Sequence, residues 1–379
     1  MIQKYMIALL GVAAAQVGVN APPTAPELPP VVIGGPAISQ KIITWRTGPI
    51  LCDGTARVSA LLPEPGPDTG WTEGRGLGPV TFAFAIDEAG RPHAINPRTL
   101  IAPFSADLEP TLAAAQFKPG APAQHCEITY TPTFTDSNSA PVDALIDLSL
   151  FPPRYPPVPA ASFVRIRPAG SDCFAPQPVP RTRVYPDFKA IPQASGTRSW
   201  TVVGFDLDSQ GRPQRVTISH STGNQALDAA AAKAVAQSRF EPGARRGCQA
   251  PFWRTGNVLP APPVPDALQP SARSNCTQTT TWKRRPNPVF PDSFRRRAVE
   301  GWAVVGYDIA SWGALGNLRI IASEPASEFG EAALRAMQVA KTEPGPQERI
   351  GCVTVVRFKL ADEPPIAPTP ARGDISPPL

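Results

Sequence analysis

The sequence predicts an α+β protein of three tandem ββαβ modules, each closed by one disulfide, with proline-rich linkers between them. Three recurrences predict it. The six cysteines fall into pairs of nearly equal spacing: Cys52 and Cys126, Cys173 and Cys248, Cys276 and Cys352, separated by 74, 75 and 76 residues. Each pair encloses an alternating apolar run ending in a glycine turn, the pattern of a strand entering a hairpin. These runs are Pro79 to Pro92, Trp200 to Pro213 and Gly301 to Gly313. A Pro-Gly pair then precedes each second cysteine, in Phe117-Lys-Pro-Gly120, Phe240-Glu-Pro-Gly243 and Thr342-Glu-Pro-Gly345. Repetition outranks local signals because it sets the architecture of the whole chain.

In chain order, Lys4, the apolar stretch Met6 to Ala15 and the small residues Ala13 to Ala15 predict an export signal over residues 1–15, cleaved before Gln16. A retained inner-membrane anchor is the competing reading. It needs about 20 continuous apolar residues, and Gln16 and Asn20 interrupt the run. Residues 16–48 form a proline-rich segment, and 49–135 the first and most divergent repeat. A linker at 136–168 leads to the second repeat at 169–260. A proline-rich linker at 261–272, the third repeat at 273–362 and a proline-rich tail at 363–379 complete the chain. Fifty of the 379 residues are proline, clustered at 22–36, 152–159, 260–270 and 364–378, where they stiffen connections and stay out of sheet interiors.

Export places the chain in the periplasm, where disulfides persist. The repeat selects one connectivity, with each unit closed on itself. Closing a loop of this length stabilises by about 4 kcal/mol in the chain-entropy model, which matters where a small core alone is marginal. A metal site does not fit, because there is no Cys-x-x-Cys and the chain has three histidines.

The second repeat is the clearest. A strand from Trp200 to Leu207 turns at Asp208 to Arg212 into a second strand, Arg215 to His220. A helix follows over Ala226 to Gln237, rich in alanine and N-capped by Asn224. The last strand runs from about Cys248 past Trp253 to Val258, at a sheet edge.

Tyr185-Pro186, the strand into Asp208-x-x-Gly211, Ser219-x-Ser221-x-Gly223, Leu227-Asp228-x-Ala230-Ala231 and Arg239-Phe240-x-Pro242 together resemble the TonB C-terminal domain family. The third repeat resembles it through Phe290-Pro291, Val304 to Tyr307, Ala332-Ala333 and Pro344, and the first mainly through Val80 to Pro92 and Phe117-x-Pro119. The resemblance implies a periplasmic domain that binds a short segment of outer-membrane transporters by adding a strand to its sheet. In such transducers an N-terminal transmembrane helix couples the domain to a proton-driven motor. This chain differs in carrying three copies and no long spacer before a single terminal domain.

No residues here build a catalytic, cofactor or metal site. Gly74-Arg-Gly-Leu-Gly78 imitates a phosphate loop, but a strand follows it where a helix would be needed. His220 lies between Ser219 and Ser221 without a nucleophile elbow. Asp206 and Asp208 flank Leu207, and turn chemistry accounts for Asp208. His93 and His125 have no metal partners in sequence. The candidate partner site is the edge strand of the second repeat, at Phe252, Trp253 and Arg254, residue types favoured as interface anchors. Filling the core is the other reading of Trp253.

The net charge is +5, with basic clusters at Lys283, Arg284, Arg285 and at Arg295, Arg296, Arg297. On an exported protein these read as a solvated positive face, or as contact with an anionic membrane surface or an acidic partner, not as a nucleic-acid site. The functional expectation is therefore a non-enzymatic periplasmic protein that binds outer-membrane receptors or other envelope segments by strand addition, related to TonB-dependent transport. The alternative is a structural scaffold without a transport role.

Overall fold

The computed structural model describes residues 40–71, 78–99, 106–152, 158–268, 276 and 281–360. The expected signal at 1–15, the tail at 363–379 and most of the Gly74–Gly78 loop lie outside them. The segment expected as proline-rich at 16–48 ends in a strand, β1 (Gln40–Thr47), which joins the sheet of the first repeat. That repeat contains β2 (Ile50–Cys52), β3 (Thr55–Arg57), β4 (Asp68–Trp71), β5 (Val80–Ile86), β6 (Pro92–Pro97), α1 (Leu108–Ala113) and β7 (Ala123–Asp136). The pairings of these strands with one another are antiparallel, and β7 is the spine, with β5 on one side and β2 and β1 on the other.

Two helices follow, α2 (Val142–Leu150) and α3 (Ala160–Phe163). The second repeat has β8 (Pro180–Thr182), β9 (Arg198–Leu207), β10 (Pro213–Ser221), α4 (Gln225–Gln237), β11 (Arg239–Phe240) and β12 (Arg245–Thr255). The third has β13 (Trp282–Arg284), α5 (Asp292–Arg296), β14 (Gly301–Ile309), β15 (Leu315–Glu324), α6 (Ser327–Gln338), β16 (Lys341–Thr342) and β17 (Arg349–Phe358). Their main sheets run β10-β9-β12 and β15-β14-β17, and short ladders β11-β8 and β13-β16 stand apart.

The alternation of β9 buries Val203, Phe205 and Leu207 against α4, whose Leu227, Ala231 and Val235 lie in the same core. Alanine gives α4 both its propensity and its close approach. Asn224 caps it, its side chain accepting from the Leu227 N–H at 3.1 Å. The cysteines are bonded within repeats as Cys52–Cys126, Cys173–Cys248 and Cys276–Cys352.

The backbone repeats more faithfully than the side chains. In the three hairpins the N–H of Gly90, Gly211 and Gly313 donates to the carbonyl three residues back, on Asp87, Asp208 and Ala310. The carbonyls of the same glycines accept from Phe117, Phe240 and Thr342 after the helices. All three glycines sit at positive φ, and a Cβ there would strike the backbone of those later residues. Four residues on, Ala94, Arg215 and Asn317 each take φ near +50°, marking a shared kink in the second strand.

The segment expected as a linker at 136–168 carries α2 and α3. Val142-Asp-Ala-Leu-Ile-Asp-Leu-Ser-Leu150 is amphipathic and bracketed by Pro141 and Pro152. Leu145, Ile146 and Leu148 pack with Trp200 and Val202 on the face of the second sheet away from α4. The first and third repeats share one core, in which Phe82, Ile95 and Leu112 join Phe294, Phe329 and Met337. Ile95 pairs with Ala326 and donates to the Pro325 carbonyl at 2.9 Å. The proline-rich 259–262 stretch lies on the third repeat: Leu259 pairs with Val299, and Trp302 Nε1 donates to the Pro262 carbonyl at 2.7 Å.

Candidate functional site

An edge strand can take a partner only if its outward N–H and C=O groups are present and unoccupied. In the second repeat β12 pairs with β9, and among the described residues no strand lies on its other side. On the opposite side of β9 the Thr222 N–H donates to the Trp200 carbonyl and the Trp200 N–H to the Thr222 hydroxyl, so Thr201 and Val203 face β12. Their partners Phe252 and Ala250 therefore turn their amides inward, and Gln249, Pro251 and Trp253 turn theirs outward. Pro251 has no N–H, so the centre of this edge lacks a donor.

The expected binding residues divide. Phe252 is buried in the core beneath α4. Trp253 is half-buried and packs toward Trp200 and the α2 core. Arg254 donates to the Phe188 and Ile191 carbonyls, tying a loop to the strand end, and its desolvation lowers its basicity. These side chains hold the module together more than they present a surface.

In the first repeat the corresponding edge is occupied. β1 pairs with β7 from Thr47–Tyr130 to Lys41–Asp136, Gly48 N–H donates to the Thr129 carbonyl at 2.8 Å, and β2 continues along Glu127 and Cys126. Cys52 lies opposite Cys126, so the disulfide fastens the covering segment to the strand it covers. In the third repeat β17 pairs with β14, and among the described residues no strand lies on its other side. Three past Cys352, in the place Pro251 holds after Cys248, stands Val355. The edge from Val353 to Phe358 thus keeps its full set of donors.

The repeats meet at a buried ion cluster. Arg297 donates to both carboxylate oxygens of Asp107 at 2.7 and 2.5 Å and to the Glu64 carbonyl at 2.9 Å. Arg198 lies 3.7 Å from Asp107 and 2.8 Å from Asp147, which also accepts from Trp200 Nε1 at 3.1 Å. Burial pushes the Asp107 carboxyl up, but the Arg297 and Arg198 charges outweigh it and hold it far below the usual range. Arg297, expected on a basic surface, is 1% exposed. An arginine triplet reads as surface in sequence, yet the turn after α5 directs its third member inward to a carboxylate of the first repeat. Arg295 pairs with Asp292, and Arg296 is half-buried near the Pro152 carbonyl.

Where α1 meets the N-terminus of α6, Glu109 is buried with one carboxyl oxygen unpartnered among the described residues. Burial, then the Glu328 and Glu331 charges, push its pKa up to about 8. Its folded pKa lies above the unfolded 4.5, so the folded state holds the proton more tightly and stability falls as pH rises from 4.5 to about 8. Glu109→Gln is expected to match wild type near the lower limit and to melt higher near the upper one. Parallel pH-dependent melting curves would refute this.

The remaining candidates have local partners. His93 faces Glu324 at 3.4 Å, His125 faces Asp53 at 3.1 Å and His220 faces Asp143 at 2.7 Å. Ser221 donates to Asp228, and Ser219 to the Val202 carbonyl. Asp208 accepts from the Gln210 and Arg212 amides within its turn, and Asp206 accepts from Gly247 N–H at 2.7 Å. Among the described residues no helix is long and apolar enough to cross a membrane.

The geometry defines a class: an α+β protein with three disulfide-closed units whose sheet edges differ, one covered by its own chain, one interrupted by proline and one uncovered among the described residues. Residues 184–258 and 286–360 match the family described as Gram-negative bacterial TonB protein C-terminal. The first repeat is not among the matched segments. A solution NMR structure of the Pseudomonas aeruginosa TonB CTD is similar at 22% identity, covering 24% of this chain and 95% of that one with a TM-score of 0.21. No curated protein is matched.

Proposed function

We propose that the chain is a non-enzymatic periplasmic protein whose third repeat docks an extended segment of another envelope protein along β17. The supporting observation is the unequal state of three equivalent edges. The first repeat accepts β1 and β2 on β7 from its own chain, so this architecture tolerates an added strand there. The second loses its central donor to Pro251, and the third retains Val355. The match of the two later repeats to the TonB C-terminal family favours outer-membrane receptor segments as the partner.

The test is an amide-shift titration of the mature protein with peptides from periplasm-facing receptor termini. Shifts centred on Val353, Val355 and Arg357 are expected. Val355→Pro should abolish them, and Pro251→Val should create a second responding edge on β12. Binding that survives Val355→Pro, or shifts confined to other strands, would rule out β17 as the site. The core shared by the first and third repeats favours a second reading, a rigid scaffold, under which no peptide would shift any edge.

A further inference from the structure

We propose that the hairpin end of the third repeat docks onto the surface of a bilayer containing anionic lipid. Its turn is built like the other two, with the same glycine bond and the same return of chain after the helix. Their middle residues are Ala89 and Gln210, whereas here the place is taken by Trp312, 73% exposed. A tryptophan presented on a turn loses little by entering a membrane interface, where its amphipathic ring is favoured. Ile350, 59% exposed, lies at the same end, where Arg349 pairs with Ile309.

The charges beside it are arranged for an anion. Thr342 N–H donates to the Gly313 carbonyl, and Lys341 pairs with Ala314, so β16 lies against the turn. β13 lies on the far side of β16, with Arg284 directly opposite Lys341. Like charges facing across a ladder destabilise it, and neither has an ion pair among the described residues. Exposed Lys283 and Arg285 flank them, and Arg349 stands at the same end; the acids there are Glu343, Glu348 and Asp308, the last bonded to Gly351 N–H and to Asn317. Four cations around a projecting tryptophan complement a layer of phosphate headgroups. Buried Arg297 is no part of this surface.

Co-sedimentation of the full chain with vesicles of phosphatidylglycerol and phosphatidylcholine, or of phosphatidylcholine alone, tests the proposal. Retention is expected on the anionic vesicles only, weakening as salt rises. Each cation removed should weaken partitioning about fivefold, so R284Q/K341Q should lose about 25-fold. Trp312→Ser should weaken it further while leaving the melting temperature unchanged, since the side chain is exposed. Equal retention on neutral vesicles would overturn the proposal. So would unchanged retention of R284Q/K341Q, or binding to polyglutamate without binding to vesicles, which would mark an acidic-protein site.

Discussion

Replacing Arg297 with methionine is expected to destabilise the protein by about 3–5 kcal/mol, because it leaves the Asp107 carboxylate enclosed without its main partner. Arg198, at 3.7 Å and shared with Asp147, compensates only in part. The double change R297M/D107L removes both charges and should recover part of the loss. Urea unfolding of the single and double variants measures it, and a single variant within 1 kcal/mol of wild type would be inconsistent with the ion cluster organising this junction.

The pH dependence gives a second readout. Asp107 has a folded pKa below its unfolded value near 3.8, so its contribution is fully present above that value and is lost as pH falls below it. Arg297→Met removes much of the depression. The variant should therefore lose less additional stability than wild type between neutral pH and about pH 3.

Removing the Cys52–Cys126 bond by the double change C52S/C126S is expected to destabilise by about 4 kcal/mol. The greater consequence is local. β2 is three residues long, pairs with β7 only through Leu51 and Cys52, and is held opposite Cys126 by the bond. Without it the Leu51 and Glu127 amides should exchange faster, and the β7 edge should begin to accept the peptides that bind β17. Unchanged exchange at these amides would show that β1 alone, through buried Ile42 and Ile43, keeps the edge closed.

Much of the architecture is legible in sequence because it rests on local rules. The glycine turns, the alternation of β9 and β14 and the capped alanine helix α4 each follow from neighbours a few residues apart. Pro251 stands in the sequence, but its effect depends on whether its nitrogen faces β9 or the outer edge, and register decides that. The amphipathic run at 142–150 was obscured by the prolines around it. Nothing local announces that β1 covers β7, since the paired residues lie as much as 95 apart in Lys41 and Asp136.

By itself the amino-acid order determined the repetition, the cysteine spacing and the turn chemistry, all consequences of backbone sterics and short-range pairing. Tertiary structure alone decided which edges stay open, that Arg297 turns inward to Asp107 and that the first and third repeats share a core. Those outcomes depend on which apolar faces find each other across the chain, and burial then selects the charges that must be paired.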